Sequence, residues 1–152
     1  MEYNLADLFE SVVDVVPDRE ALVYADHPGT GAERRLTYAE LDAAANRIAT
    51  KPYIWGGGHG RWWDRGYDCS GSVSYALHGG RLLSTQLDST SLESYGSGGH
   101  GRWVTIYANA GHAWMIVAGL RFDTSGQRTT GSRWQTAPRS NAGFTVRHPT
   151  GW

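Results

Sequence analysis

Cysteine is almost absent from this chain of 152 residues, which contains Cys69 alone. A single cysteine excludes an internal disulfide and a zinc site built from cysteines. The sequence also has no run of 18 apolar residues, so it predicts no transmembrane helix. Its first residues include acidic side chains and no basic leader, so we expect no secretory signal peptide in this chain.

Histidines at metal-binding spacing are lacking as well. His59, His78, His100 and His148 do not form an HxxxH-type pair with one another. We therefore expect these four side chains in loops or on the surface. The sequence predicts neither a metal site nor a cofactor.

Charge is divided unevenly along the chain, although the net charge is only −1. Residues 1–50 contain ten acidic and four basic residues, a charge of −6, whereas residues 51–152 contain five acidic and ten basic residues, a charge of +5. All seven tryptophans and 18 of the 20 glycines follow residue 50. This asymmetry predicts two segments of different origin. The basic segment suits a polyanionic or carbohydrate-containing partner, and a solvated basic surface is an equally good interpretation.

The first segment has the pattern of a helix, a hairpin and a second helix. Residues 4–16 show apolar side chains at helical spacing, and Pro17 ends that pattern. Residues 21–25 and 34–36 are typical of two short strands joined by a glycine-containing turn. Thr37 and Glu40 form a capping box for a helix over about 38–49.

The second segment predicts one central helix followed by strands. Apolar spacing favours a helix from Cys69 to about His78, ended by Gly79 and Gly80. A short helix is expected near 89–95, and residues 125–140 read as irregular. The strand candidates are residues 102–107, 112–118, 120–123 and 144–148.

Cys69 lies in the first turn of the predicted helix, where free N–H groups and the helix dipole favour a thiolate. His112 opens a strand candidate, and Asp123 follows eleven residues later. A thiol, an imidazole and a carboxylate are the parts of a cysteine nucleophile with its base and its orienting group. The alternatives are a buried structural thiol, a strand histidine and a carboxylate that caps its own turn. Asn109 is a weaker candidate for the third member.

Turn length decides whether the histidine and the carboxylate meet. If Ala118 and Gly119 form a two-residue turn, Val117 pairs with Leu120 and Asp123 lies on the same sheet face as His112. A three-residue turn would send Asp123 to the opposite face.

Four motifs together resemble the NlpC-type cysteine peptidases of bacterial cell walls. They are KPYIWGGGHG at 51–60, YDCSGSVSYAL at 67–77, GHAWMIVAG at 111–119 and LRFDTS at 120–125. The resemblance covers about residues 38–152. It implies an α+β, papain-like fold in which the nucleophile helix packs on an antiparallel sheet. It also implies cleavage of amide bonds in peptidoglycan stem peptides, next to γ-linked D-glutamate.

Position by position, the resemblance implies Cys69 as the nucleophile and His112 as the general base. The third polar residue of the family falls at Asp123, where many members have histidine, so the aspartate is a departure. Tyr53 matches a tyrosine that supports the oxyanion. Asp68 and Ser70 flank the nucleophile where family members contact the substrate.

Residues 1–50 resemble a different family, the adenylate-forming enzymes that include acyl-CoA synthetases. NLADLFESVVDVVPDREALVYAD and RRLTYAELDAAANRIA match the extreme N-terminus of those enzymes. The phosphate loop and later nucleotide-binding elements are missing, so we expect no ATP chemistry. The expected division is an extension over 1–37 and a peptidase-like domain over 38–152, joined in a natural or constructed fusion.

We interpret the sequence as that of a cysteine amidohydrolase acting on peptidoglycan peptides without a metal or cofactor. A transferase on the same scaffold and a catalytically silent chimeric or binding protein stay open as alternatives. We expect no nucleic-acid or membrane partner. The apolar stripe of residues 4–16 favours a homodimer through the extension. The resemblance implies a secreted or cell-envelope location, and the missing signal peptide favours the cytoplasm for the chain as it stands.

Overall fold

A computed structural model describes residues 20–25 and 33–150 of the chain. The helix predicted over 4–16 lies outside the described residues, and so does the homodimer contact expected from it. Among the described residues, no helix has the length and apolar character needed to cross a bilayer.

The described chain begins with a strand hairpin and a helix, continues through the central helix, and ends in strands. The first elements are β1 (Glu20–Ala25), β2 (Glu33–Thr37) and α1 (Tyr38–Asn46). They are followed by α2 (Cys69–Gly79), α3 (Ser89–Leu92), β3 (Ser97–Gly98), β4 (Val104–Asn109), β5 (His112–Val117), β6 (Leu120–Phe122), α4 (Gln127–Thr130), β7 (Trp134–Gln135) and β8 (Thr145–His148). The predicted α+β class is confirmed.

Two antiparallel sheets organise these strands. β1 and β2 form a two-stranded hairpin, as predicted. The second sheet has six strands in the order β3-β8-β4-β5-β6-β7, and each neighbouring pair is antiparallel. The two outer strands of this sheet, β3 and β7, have only two residues each, which leaves little open edge for pairing with another chain.

Helix α2 packs on β5 and buries most of its length, from Cys69 to Leu77. Its start is fixed by Asp68, whose carboxylate accepts a 2.7 Å hydrogen bond from the Gly71 N–H. Alternation along β5 turns Ala113, Met115 and Val117 toward the helix, and all three belong to the hydrophobic core. This packing holds the start of α2 against the start of β5.

The hairpin between β5 and β6 has the two-residue turn on which the sequence argument depended. Val117 pairs with Leu120, and Met115 pairs with Phe122. Ala118 and Gly119 both have positive φ, 48° and 89°, as a type I′ turn requires. Continuing this register by one residue places Asp123 opposite Trp114, as predicted.

Residues 125–140 are more ordered than the sequence suggested, because a buried cation organises them. Arg133 is fully buried and forms no ion pair with any described acidic residue. Its guanidinium donates hydrogen bonds to five acceptors instead: the carbonyls of Ile48, Lys51, Pro52 and Tyr67, and the hydroxyl of Ser72. Arg133 therefore ties the segment that follows α1 to helix α2 and to the turn that precedes β7.

Candidate active site

Cys69 occupies the first residue of α2 and is buried, with 7% of its surface exposed. Its thiol interacts with the ring of His112 and with the backbone N–H of Ala113, both at the start of β5. Burial raises the pKa of the thiol. The two hydrogen bonds and the charge of His112 lower it more, so that the net pKa lies below the ordinary value.

His112 lies between the thiol and a carboxylate. Its Nε2 is 2.9 Å from Oδ1 of Asp123, so Nδ1 is the ring nitrogen that remains for Cys69. Burial lowers the pKa of His112, but hydrogen bonds to Asp123 and Cys69, together with their negative charges, raise it to about 9. Both shifts favour the ion pair of a thiolate and an imidazolium over the neutral pair.

The backbone of His112 is fixed by the turn that precedes it. Asn109 Oδ1 accepts hydrogen bonds from the N–H groups of Gly111, at 3.0 Å, and His112, at 2.9 Å. The Asn109 side chain thus closes the turn between β4 and β5 and does not reach the imidazole as a third member. That position belongs to Asp123.

Asp123 is 2% exposed and is held by partners on every side. Besides His112, it accepts hydrogen bonds from the N–H of Ser125 at 2.8 Å, the hydroxyl of Ser125 at 2.7 Å and the guanidinium of Arg139 at 3.0 Å. Arg121 lies 3.8 Å away. Burial raises the pKa of Asp123, but the hydrogen bonds from His112 and Ser125 lower it more, so the group stays ionised.

Asp68 and Ser70, the residues that flank Cys69 in the sequence, are both buried, and the Ser70 hydroxyl donates a 3.3 Å hydrogen bond to Asp68 Oδ1. Asp68 caps α2 and also accepts a 3.0 Å hydrogen bond from the Gly56 N–H. Through this bond the carboxylate fastens the loop after Tyr53 to the start of the helix.

His59 lies next to Asp68 and Ser70, a contact that was not predicted from the sequence. Its Nε2 lies 3.0 Å from Asp68 Oδ1 and 3.1 Å from Ser70 Oγ. Because the same nitrogen faces both groups, it cannot donate to Asp68 and accept from Ser70 at once, so these residues do not form a second proton relay. A histidine between glycines, nine residues before Asp68, was the available signal.

Tyr53 stands at the edge of the site, with 46% of its surface exposed. Burial and the negative charges of Cys69 and Asp68 raise the pKa of its hydroxyl, which therefore keeps its proton as a donor. A cavity of about 650 Å³ opens here. Its lining includes Tyr53, His112, Ser125 and Gln127. That volume suits a small-molecule or peptide substrate.

No set of three or more His, Cys, Asp or Glu residues within the described ranges is arranged to hold a metal ion. The arrangement instead brings a thiol, an imidazole and a carboxylate into one connected set. Such a set performs acyl transfer from amides or esters.

Comparisons with known proteins give short matches of two kinds. No protein-family model matches the chain. Over 59 residues, 39% of this chain, it is 44% identical to the probable endopeptidase YafL of Escherichia coli, and the match covers 20% of that protein.

The second kind of match is to a medium/long-chain-fatty-acid–CoA/3-oxocholest-4-en-26-oate–CoA ligase. The chain is 48% identical over 46 residues to the protein of Mycobacterium marinum and 46% identical to that of Mycobacterium tuberculosis. These matches span 30% of this chain and 7% of each ligase. The two kinds of match support in part the two resemblances stated from the sequence.

Proposed function

We propose that this chain is a cysteine amidohydrolase of the NlpC type, with a papain-like fold, that cleaves amide bonds of peptidoglycan stem peptides next to γ-linked D-glutamate. The observation that carries the proposal is the connected set of Cys69, His112 and Asp123. Support also comes from the partial match to a probable endopeptidase.

In the proposed reaction, the Cys69 thiolate attacks the carbonyl carbon of the scissile amide. The carbonyl electron pair moves onto oxygen and gives a tetrahedral oxyanion. Collapse of that intermediate breaks the C–N bond, and the His112 imidazolium donates its proton to the leaving amine. Water, deprotonated by His112, then hydrolyses the thioester and restores the thiolate. Asp123 keeps the ring oriented and stabilises its charged form.

The remaining predicted residues surround the reacting carbonyl in this proposal. N–H groups at the start of α2 and the Tyr53 hydroxyl donate to the oxyanion. Asp68 and Ser70 contact the substrate, with a cationic amine as the natural partner of the carboxylate. His59 contacts both Asp68 and Ser70, so its ring would have to move away before such an amine could bind to them.

The two-part composition of the chain fits a catalytic segment joined to a piece of a synthetase. Each ligase match covers 7% of the ligase, so the proposal assigns no adenylating activity to this chain. A secreted or cell-envelope location follows from the proposed substrate.

The test compares the unaltered protein with Cys69→Ala and Cys69→Ser on soluble peptidoglycan fragments, with products identified by mass spectrometry. We expect amide cleavage by the unaltered protein and at least a thousand-fold slower turnover by both variants, since neither retains a thiolate. Circular dichroism and a thermal melt establish that the variants fold.

Unchanged turnover in Cys69→Ala would exclude the mechanism. Products carrying an added amine in place of water would make the chain a transferase. No turnover by the unaltered protein, together with ordinary iodoacetamide labelling of Cys69 at neutral pH, would favour a silent chimeric or binding protein.

A further inference from the structure

The Asp123 carboxylate uses its two oxygens for different partners. Its Oδ1 lies 2.9 Å from His112 Nε2 and accepts a 2.8 Å hydrogen bond from the Ser125 N–H. Its Oδ2 accepts from the Ser125 hydroxyl at 2.7 Å and from Arg139 Nη1 at 3.0 Å. Arg139 and His112 therefore bind opposite oxygens of one carboxylate, so that a permanent cation lies on one side and a titrating ring on the other.

Arg139 reaches this carboxylate from the loop between β7 and β8. Its Nη1 also donates to the Ser125 hydroxyl oxygen. Its Cζ lies 5.8 Å from the ring centroid of Trp114 and 5.4 Å from that of Phe144, distances at which aromatic rings attract a cation. Two hydrogen bonds and two aromatic rings thus hold the guanidinium at Asp123, although the Arg139 side chain keeps 26% of its surface exposed.

The Asp123 side chain has no exposed surface, so its negative charge depends on nearby cations. Arg121 lies 3.8 Å from Oδ2, which is too far for a hydrogen bond, whereas Arg139 makes a direct, charge-assisted one. Within the described part of the chain, the charged and titratable groups around the His112–Asp123 pair are Cys69 and its neighbour Asp68 at α2, Arg121 on β6, Arg139 on its loop, and Tyr53 and Arg128 on the cavity wall.

The charge beside Asp123 changes during the proposed reaction. While His112 is an imidazolium, the ring is one of the counter-ions of the carboxylate. Once His112 has given its proton to the leaving amine and Cys69 carries the acyl group, the ring is neutral and that counter-ion is gone. Because a buried carboxylate without a cation is costly, the ring would hold its proton more tightly if no other cation remained. Arg139 remains, since a guanidinium keeps its proton throughout.

We propose that Arg139 is a positioning residue that acts through Asp123: it stays with the carboxylate as a fixed counter-ion and so lets His112 release its proton to the leaving amine. This role rests on the proposed amide cleavage. Its electrostatic part needs no turnover, because the positive charge of Arg139 opposes the proton on His112 whether or not a substrate is present. Removal of that charge must therefore strengthen the hold of His112 on its proton.

An NMR titration of the His112 ring protons tests the electrostatic part on the unaltered protein and on variants. We expect the pKa of His112, about 9 in the unaltered protein, to rise by about 1 pH unit or more in Arg139→Gln, because a positive neighbour is lost. Arg139→Lys keeps the charge and should stay within about 0.5 pH unit of the parent. Arg121→Gln removes a charge that makes no hydrogen bond to Asp123, so it should raise the pKa less than Arg139→Gln does.

Kinetics on peptidoglycan fragments test the catalytic part. Arg139 is outside the described lining of the cavity beside Tyr53. Arg139→Gln should therefore lower kcat by about tenfold and leave KM within about twofold of the parent. The alkaline limb of the pH profile of kcat/KM should move to higher pH together with the titration of His112. Arg139→Lys should restore most of kcat.

The proposal is overturned if His112 in a folded Arg139→Gln protein titrates at the same pH as in the parent or lower, or if Arg139→Lys shifts it as far. A loss of kcat without a shift of the pKa would also overturn it, since Arg139 would then only anchor its loop. If the unaltered protein cleaves no amide, the proposed function fails, and the titration still decides whether Arg139 opposes the proton on His112. If Arg139→Gln does not fold by circular dichroism, Arg139→Met replaces it, because its side chain can keep contact with Trp114 and Phe144.

Discussion

Replacing Asp123 with asparagine is the sharpest test of the electrostatics of the candidate site. The His112 pKa of about 9 lies roughly 2.5 pH units above the ordinary value of 6.5, which corresponds to ~3 kcal/mol in favour of the imidazolium. Burial opposes that charge, so the negative partners together contribute more than this figure. Asp123 is one of these partners, with Oδ1 2.9 Å from Nε2.

Asparagine keeps an oxygen that can accept from Nε2, but it removes the charge. It also leaves Arg121 and Arg139 without their shared carboxylate, and both guanidinium groups then repel the imidazolium. We therefore expect the pKa of His112 to fall by about 2 pH units or more. The measurement is an NMR titration of the His112 ring protons from pH 4 to pH 11.

Ser125→Ala is the matched control, because it removes one hydrogen bond from the same carboxylate and leaves the charge. It should move the pKa of His112 by less than about 0.5 pH unit. If His112 in Asp123→Asn still titrates near pH 9, the charge of Asp123 does not raise its pKa and this electrostatic role is refuted.

The remaining predictions concern stability and can be measured by urea unfolding. Arg133→Met removes one hydrogen bond from each of four carbonyls and from a hydroxyl, although the carbonyls of Ile48, Lys51 and Pro52 keep a second donor. The loss of this network should lower the free energy of unfolding by about 3 kcal/mol, and a variant as stable as the parent would show that the network is dispensable. Gly71→Ala should lower the free energy of unfolding by about 1–3 kcal/mol, since its Cβ would lie 2.1 Å from the Gly57 carbonyl oxygen. Gly60→Ala is the control, because a Cβ there meets nothing within 4 Å, and it should change stability by less than about 0.5 kcal/mol. Equal losses in the two variants would contradict the close approach of Gly71 to Gly57. Finally, the pKa of Asp123 is lowered in the folded protein, so its contribution to stability is present above its unfolded value of 3.8 and is lost as the pH falls through the folded value. Asp123→Asn should therefore lose less stability than the parent between pH 6 and pH 3. Equal losses in the two proteins would contradict the lowered pKa of Asp123.

Local signals in the sequence were sufficient for the central helix and for the hairpin. Apolar spacing and the closing glycines defined α2, and a glycine at position 119 suited the positive φ of a two-residue turn. Given that turn, the alternation of residues along the two strands predicted which face of the sheet Asp123 occupies. The catalytic roles of Cys69, His112 and Asp123 stay predictions.

Long-range contacts explain what the sequence did not reveal. Arg133 looked like one more basic residue in an irregular stretch, because its acceptors are backbone carbonyls up to 85 residues away. His59 looked like a loop residue for the same reason, since Asp68 and Ser70 reach it only after the loop folds back on α2. The strand over 102–107 was placed two residues early, because β4 starts at Val104 after a glycine-rich approach.

The buried guanidinium also has a consequence for how a substrate would enter. An outward movement of Lys51 and Pro52 would break their hydrogen bonds to Arg133 and leave its positive charge buried with fewer partners. We therefore expect this wall of the cleft to stay in place as long as the protein is folded. Access must then come from the rims, where Tyr53 and Trp55 stand in solvent. We expect the Arg133 amide, which donates to the Ala49 carbonyl at 2.8 Å, to exchange slowly with solvent although it lies in a loop.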